Sequence, residues 1–84
     1  MKKEIFAVYD KVAEMFGNVH AEVNEASAIR AFITSFQDNP NKNDYEIYLM
    51  GTYIDHSGEI IGCPPKRIYS GFDIKSDNVI DLPS

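Results

Sequence analysis

The sequence predicts a small α+β protein: a mostly antiparallel sheet of four to five strands, with one amphipathic helix packed on one face. Three observations predict it. Residues 24–37 carry apolar side chains at helical spacing. Residues 4–9 and 45–54 are rich in β-branched and aromatic residues. Short turn-forming segments connect the other candidate strands, so neighbouring strands are expected to be antiparallel.

Length and composition limit the class of protein. The 84 residues are 44% apolar and 12% aromatic, enough for one small domain with a packed core. We expect residues 1–74 to form it and residues 75–84 to be a flexible polar tail. A single cysteine indicates a reducing compartment or no redox dependence, and the lack of a long apolar run predicts a soluble protein. The net charge of −5 argues against a uniformly basic surface but is compatible with a local basic patch.

The segments before the helix predict two strands and a turn. Residues 4–9 are apolar at odd and even positions alike, which is typical of a central strand with two buried faces. Asp10 is expected to cap a turn through residues 11–16, closed by Gly17. Residues 19–23 alternate between apolar and polar side chains and predict a short, half-buried strand.

The helix is predicted over residues 24–37. Asn24 is a good N-cap, and Glu25 lies where the helix dipole favours an anion. Pro40 ends the helix, because proline disfavours helical geometry in the residue before it. The apolar arc of this helix comprises Ala26, Ala28, Ile29, Phe32, Ile33 and Phe36.

A polar loop over residues 37–44 leads to the longest predicted strand, 45–54, whose odd-numbered side chains are expected to share one face. Gly51 predicts a bulge or a close backbone approach, by the helix for example. A turn at 55–58 then leads into a partner strand at 59–61.

The prolines at 64 and 65 are expected to end this partner strand, since proline cannot donate to the ladder. Residues 66–74 leave two alternatives open: a last edge strand, or a helical turn begun by Pro65.

The chemical motifs favour binding over catalysis. His20, His56 and Cys63 are too scattered for a zinc motif, so no metal or cofactor is expected. The carboxylates form no pair that spacing would place in a cleft. No glycine-rich phosphate loop and no serine nucleophile elbow occur in the sequence. We therefore expect a protein that is not an enzyme.

Two features suggest a binding surface. Two cations, Lys66 and Arg67, lie close in sequence to two aromatic residues, Tyr69 and Phe72, a combination that can contact phosphates and stack on unpaired bases. The alternative is an edge strand with a solvated basic start and with Ile68 or Phe72 in the core, and the residues alone favour it.

The tyrosines of residues 45–54 are the second feature. Tyr45, Tyr48 and Tyr53 predict an aromatic surface wherever the helix leaves the sheet uncovered, for base stacking or for a dimer interface.

Three segments together resemble the small non-structural protein of gokushovirus-type single-stranded DNA phages (Microviridae): IFAVYDKVAE, AIRAF and DYEIYLMGTYIDHSGEI. The resemblance covers residues 5–65. Ile54 and the Cys-Pro-Pro segment at 63–65 depart from it. The matching positions are Tyr9, Asp10, Lys11, Ala13, Ala28, Ile29, Arg30, Phe32, Asp44, Tyr45, Gly51, Tyr53, Asp55, Ser57 and Gly58.

The resemblance implies a phage protein of the host bacterial cytoplasm that is absent from the virion. It implies binding to single-stranded DNA, contact with viral replication or packaging proteins, and a role in the switch from duplex replication to single-stranded genome synthesis and packaging. No membrane is expected. The rival hypothesis is a small homodimeric protein–protein interaction module that contacts viral or host proteins.

Overall fold

The computed structural model describes residues 2–74, in which five strands and one helix form a small α+β fold. This confirms the predicted fold class. The predicted tail, 75–84, lies outside the described residues. Short 3₁₀ turns occupy Lys42–Asp44 and Gly71–Asp73. The main elements are β1 (Lys2–Asp10), β2 (Met15–Phe16), β3 (His20–Glu22), α1 (Glu25–Phe36), β4 (Tyr45–Ile54) and β5 (Glu59–Ser70).

The strands form one antiparallel sheet with β1 at its centre. The order is β2-β1-β4-β5, and β3 also pairs with β1. Because β4 pairs along the whole of β1, β2 and β3 share the other edge of that strand. This arrangement confirms the central position that the two apolar faces of β1 predicted.

Helix α1 begins and ends where its sequence signals predicted. Oδ1 of the N-cap Asn24 accepts a 2.8 Å hydrogen bond from the amide of Ser27. At the other end, the amide of Gln37 donates to the carbonyl of Ile33 at 2.9 Å. The buried residues of the helix, Ala28, Phe32 and Ile33, pack against the sheet.

The core lies between α1 and one face of the sheet. Phe6 and Ile47, from adjacent central strands, are the largest fully buried side chains there. Phe32 and Ile33 close the core from the helix, and Ile74 joins it after the last 3₁₀ turn. The protein is therefore two layers thick, with no helix on the second face of the sheet in the described part of the chain.

A bulge in β4 corrects the expectation that odd-numbered residues share one face. The register runs from Ile5 opposite Gly51 to Phe6 opposite Leu49, so Met50 is an extra residue. The side chains of β4 therefore change faces at Met50. Tyr45, Ile47 and Leu49 face the helix, whereas Tyr53 faces away from it.

Gly51 marks this bulge, as predicted, but the backbone that approaches it belongs to β5 and not to the helix. A Cβ atom at position 51 would collide with the carbonyl oxygen of Ile61.

Strand β5 does not end at the prolines, contrary to the prediction. Its register with β4 jumps from Gly51 opposite Gly62 to Leu49 opposite Lys66. Residues 63–65 occupy this interruption, where prolines cost no ladder hydrogen bond, and pairing then resumes. The edge-strand alternative is thus correct as far as Ser70. A 3₁₀ turn follows, although Pro65 does not begin it.

Asp10 caps the turn after β1, as predicted. Its Oδ1 accepts hydrogen bonds from the amides of Val12 at 3.0 Å and Ala13 at 3.1 Å. The turn is shorter than expected, because β2 already pairs Phe16 with Tyr9. The strand predicted over residues 19–23 is limited to His20–Glu22.

Candidate nucleic-acid interface

The face of the sheet opposite α1, here called the helix-free face, carries the side chains that alternate with those of the core. Phe6 and Ile47 point toward α1, so their neighbours along each strand point the other way. The strand pairings place the following residues on this face: Lys3, Ile5, Ala7 and Tyr9 of β1, Glu46, Tyr48 and Tyr53 of β4, and Ile60 and Arg67 of β5.

Three aromatic rings on this face form what we call the aromatic platform: Tyr9, Phe16 and Tyr48. The ring centroids of Tyr9 and Phe16 lie 4.8 Å apart, and those of Phe16 and Tyr48 lie 5.2 Å apart at 84°. Tyr9 and Tyr48 are separated by 6.0 Å. These edge-to-face and tilted contacts are favourable arrangements of aromatic pairs. The platform joins β2, β1 and β4 into one surface.

Glu46 lies beside the platform and has three polar partners. The hydroxyl of Tyr48 donates to its Oε1 at 2.9 Å, and Nη1 of Arg67 donates to its Oε2 at 3.0 Å. Nζ of Lys11 lies 3.9 Å from the same Oε2. The residue is only 7% exposed, so these partners replace the water that its carboxylate lacks.

The pKa values in this cluster follow from burial and hydrogen bonding. Burial raises the pKa of Glu46, but the hydrogen bonds from Arg67 and Tyr48 and the charge of Lys11 outweigh it, and the net pKa is lowered. Burial and the neighbouring carboxylate both raise the pKa of Tyr48. At neutral pH, Glu46 is therefore ionised while Tyr48 keeps its proton and donates it to Glu46.

The two predicted cations lie on opposite faces of the sheet. Arg67 is paired with Tyr48 on the helix-free face, whereas Lys66 is paired with Leu49 on the helix side. Ile68 is an extra residue in β5, and this second irregularity places Tyr69 opposite Ile47.

The two predicted aromatic residues are also separated. Tyr69 is half-buried on the helix side, with its ring 6.2 Å from that of Phe32. Its hydroxyl donates to the carbonyl oxygen of Asp73 at 3.4 Å. Phe72, in the last 3₁₀ turn, is 73% exposed. Of the four residues predicted from the sequence, only Arg67 therefore belongs to the helix-free face.

Several residues of this surface were missed by sequence reasoning. One of them is Phe16. The signals at Asp10 and Gly17 predicted only a turn through residues 11–16, whereas a tight hairpin at the same place would have paired Phe16 with Tyr9, as the structure does. Of the predicted tyrosines, Tyr48 and Tyr53 do lie on the helix-free face. Tyr45 instead packs on Phe36, at 4.6 Å between ring centroids.

Within residues 2–74, no three histidine, cysteine or acidic side chains are grouped so that they could hold a metal ion. The helix found in this range is too short and too polar to cross a membrane.

The fold and its exposed surface define a small α+β protein with one helix on one side of a curled antiparallel sheet and aromatic rings on the other. A protein-family model described as Phage ORF5 protein matches residues 3–74. The chain therefore belongs to this family of phage proteins. No curated protein and no solved structure matches it.

Proposed function

We propose that this phage protein is a non-enzymatic accessory protein that binds single-stranded DNA through its helix-free face. It belongs, in this proposal, to gokushovirus-type phages (Microviridae) and acts in the host cytoplasm, where it assists the switch from duplex replication to single-stranded genome synthesis and packaging. The observation that carries the proposal is the aromatic platform, which the helix leaves uncovered and which lies beside Lys11 and Arg67.

The platform suits unpaired bases because stacking needs a flat, accessible π-surface. Each stacked base contributes about 1–3 kcal/mol with little dependence on sequence. Phe16 is 36% exposed and contacts both tyrosines, so it is the ring that a base would meet first. In duplex DNA the bases already stack on one another, which makes the single strand the preferred ligand.

The local charge also favours a polyanion, although the whole chain is acidic. Glu46 is one negative charge facing two positive ones, Lys11 and Arg67, so this cluster keeps a net positive charge. Lys3 adds a third cation on the same face, at the opposite end of β1, where a strand crossing the whole face would reach it. Three phosphate contacts predict a slope of roughly −2 for log affinity against log salt concentration on a single strand. Binding is therefore expected to be weak and salt-sensitive.

The proposal is tested by fluorescence anisotropy of a labelled single-stranded oligonucleotide at low salt, with Lys3→Gln and Lys2→Gln as a matched pair. The two lysines are consecutive and lose the same charge, but only Lys3 lies on the helix-free face. We expect Lys3→Gln to weaken binding severalfold and Lys2→Gln to have a smaller effect. Phe16→Leu keeps an apolar side chain without the ring and should weaken binding about fivefold or more, since roughly 1 kcal/mol of stacking is lost.

Three results would overturn the proposal. The first is no anisotropy change at low salt. The second is equal affinity for duplex and single-stranded oligonucleotides, which would exclude stacking on the platform. The third is an equal loss of affinity in the Lys2 and Lys3 variants, which would place the contact away from the helix-free face.

A further inference from the structure

A second feature of the helix-free face lies near the start of β1, at the opposite end from the aromatic platform. It is an open groove of about 240 Å³. No acidic residue, lysine or arginine contributes to its lining, so a phosphate would find no cation inside it. The lining residues are Ile5, Val19, His20, Ala21, Tyr53 and Ile60.

The walls of this groove are unusually exposed for apolar side chains. Val19 is 62% exposed and Ile60 is 66% exposed. The same patch is therefore concave at its centre and carries aliphatic side chains at its border. In a contact with two-fold symmetry, a surface meets its own copy, so one patch must supply both the cavity and the side chain that fills it. This groove and its walls meet that requirement.

The dimensions of the protein are consistent with such a contact. Its outline is 43 × 31 × 15 Å, so the helix-free face is broad and the body is thin. Half of this face offers on the order of 600 Å² per copy, close to the roughly 800 Å² per partner of a standard interface. Among residues 2–74, only seven apolar side chains are buried. Domains with so small a core are often stabilised by association.

The edge of the sheet is a poorer candidate for self-association. The sheet has two free edges. On one side β2 and β3 are only two and three residues long, too short to template an added strand. On the other side is β5, where Pro64 and Pro65 have no amide hydrogen to donate. The interruption of the β5 register at 63–65 also bends this edge. The face, not the edge, is therefore the surface available to a second copy.

We infer that a second copy of this chain docks on the groove, so that the protein forms a face-to-face homodimer. Ile60 of each copy inserts into the groove of the other, against Ile5 and Tyr53. The dimer interface is distinct from the aromatic platform. Tyr53 lines the groove and Tyr48 belongs to the platform, and the β4 bulge at Met50 lies between these two residues. The inference does not depend on DNA binding.

The test is sedimentation equilibrium of the full chain without DNA, from about 1 µM to about 500 µM, the range in which moderate dimer affinities are resolved. Ile60→Lys and Ile61→Lys form a matched pair of variants. The two isoleucines are consecutive and both exposed, at 66% and 51%, but Ile60 is paired with Tyr53 on the helix-free face and Ile61 with Thr52 on the helix side. Circular dichroism checks that both variants are folded.

We expect the wild-type chain and Ile61→Lys to be dimeric at the upper concentrations and Ile60→Lys to stay monomeric, with a dissociation constant raised at least 50-fold. A wild-type chain that is monomeric over the whole range would overturn the inference and leave the groove to a different partner. Dissociation by Ile61→Lys but not by Ile60→Lys would also overturn it, because the interface would then lie on the other face. Neither result bears on the oligonucleotide measurement of Phe16→Leu, which concerns the other end of the helix-free face. Lys3 is paired with Tyr53 beside the groove, so Phe16→Leu is the variant that tests DNA binding independently of the dimer.

Discussion

Arg67 reaches across the sheet to Glu46, where its Nη1 donates a 3.0 Å hydrogen bond to Oε2, although the two residues are 21 positions apart in the chain. The pair ties the edge strand β5 to β4 next to the extra residue Ile68. Glu46 is almost fully covered, whereas the side chain of Arg67 is 59% exposed. The carboxylate therefore depends on the pair more than the guanidinium does.

Glu46→Gln should lower stability at neutral pH by about 1 kcal/mol, a modest value because water screens the exposed guanidinium. The folded pKa of Glu46 lies below its ordinary value of 4.5. Its stabilising contribution is thus fully present above pH 4.5 and is lost as the pH falls through the folded pKa. Urea unfolding of both proteins at pH 7 and at a series of acidic pH values should show the difference shrinking toward acid. A difference that does not change with pH would contradict this assignment.

Gly51→Ala should destabilise the protein by about 1–3 kcal/mol, because the added methyl group must displace the carbonyl of Ile61 on the neighbouring strand. Gly62→Ala is the matched control. Gly62 pairs directly with Gly51, yet nothing lies within 4 Å of a Cβ built there. Thermal unfolding of the two variants measures the difference. Equal melting temperatures would mean that β5 yields to the methyl group without cost.

The cations predicted from the sequence can now be separated by face. Lys66→Gln should leave affinity for single-stranded DNA almost unchanged, whereas Arg67→Gln should weaken it, because only Arg67 adjoins the platform. Arg67→Lys retains the charge beside Glu46 and should keep most of the affinity. The measurement is oligonucleotide anisotropy at low salt. A larger effect of Lys66→Gln would favour the surface that the sequence suggested.

Phe32→Ala and Phe72→Ala compare a buried and an exposed ring. Phe32 is 3% exposed in the core, and its truncation should cost about 3–5 kcal/mol. Phe72 is 73% exposed, so its truncation should change stability by less than about 0.5 kcal/mol. Chemical denaturation measures both values. The folded Phe72 variant then shows, by oligonucleotide binding, whether this exposed ring contacts DNA; we expect unchanged affinity, since it lies outside the platform.

Local elements could be predicted from the sequence because their signals lie within a few residues. The cap at Asn24 and the apolar period of residues 24–37 determine α1, and the predicted bounds 45–54 are those of β4. The turn capped by Asp10 rests on similarly local hydrogen bonds.

The candidate site could be predicted only in part, because its residues come from separate strands. Tyr48 and Arg67 were identified individually, but nothing in the order of residues places them opposite each other. That pairing depends on the interruption of the β5 register at residues 63–65, and the position of Tyr53 depends on the extra residue Met50. A one-residue change of register moves a side chain to the opposite face of the sheet.

The sequence by itself determined the fold class, the helix, the central strand and the bounds of β4 in this phage protein, since periodicity and capping are properties of contiguous residues. It did not predict that β5, at 12 residues, is the longest strand. Only the tertiary structure decided which side chains share the helix-free face. The physical reason is that bulges form where two strands pair, so they belong to the pairing of strands and not to either strand alone. Glu46 and Arg67 meet because of that pairing.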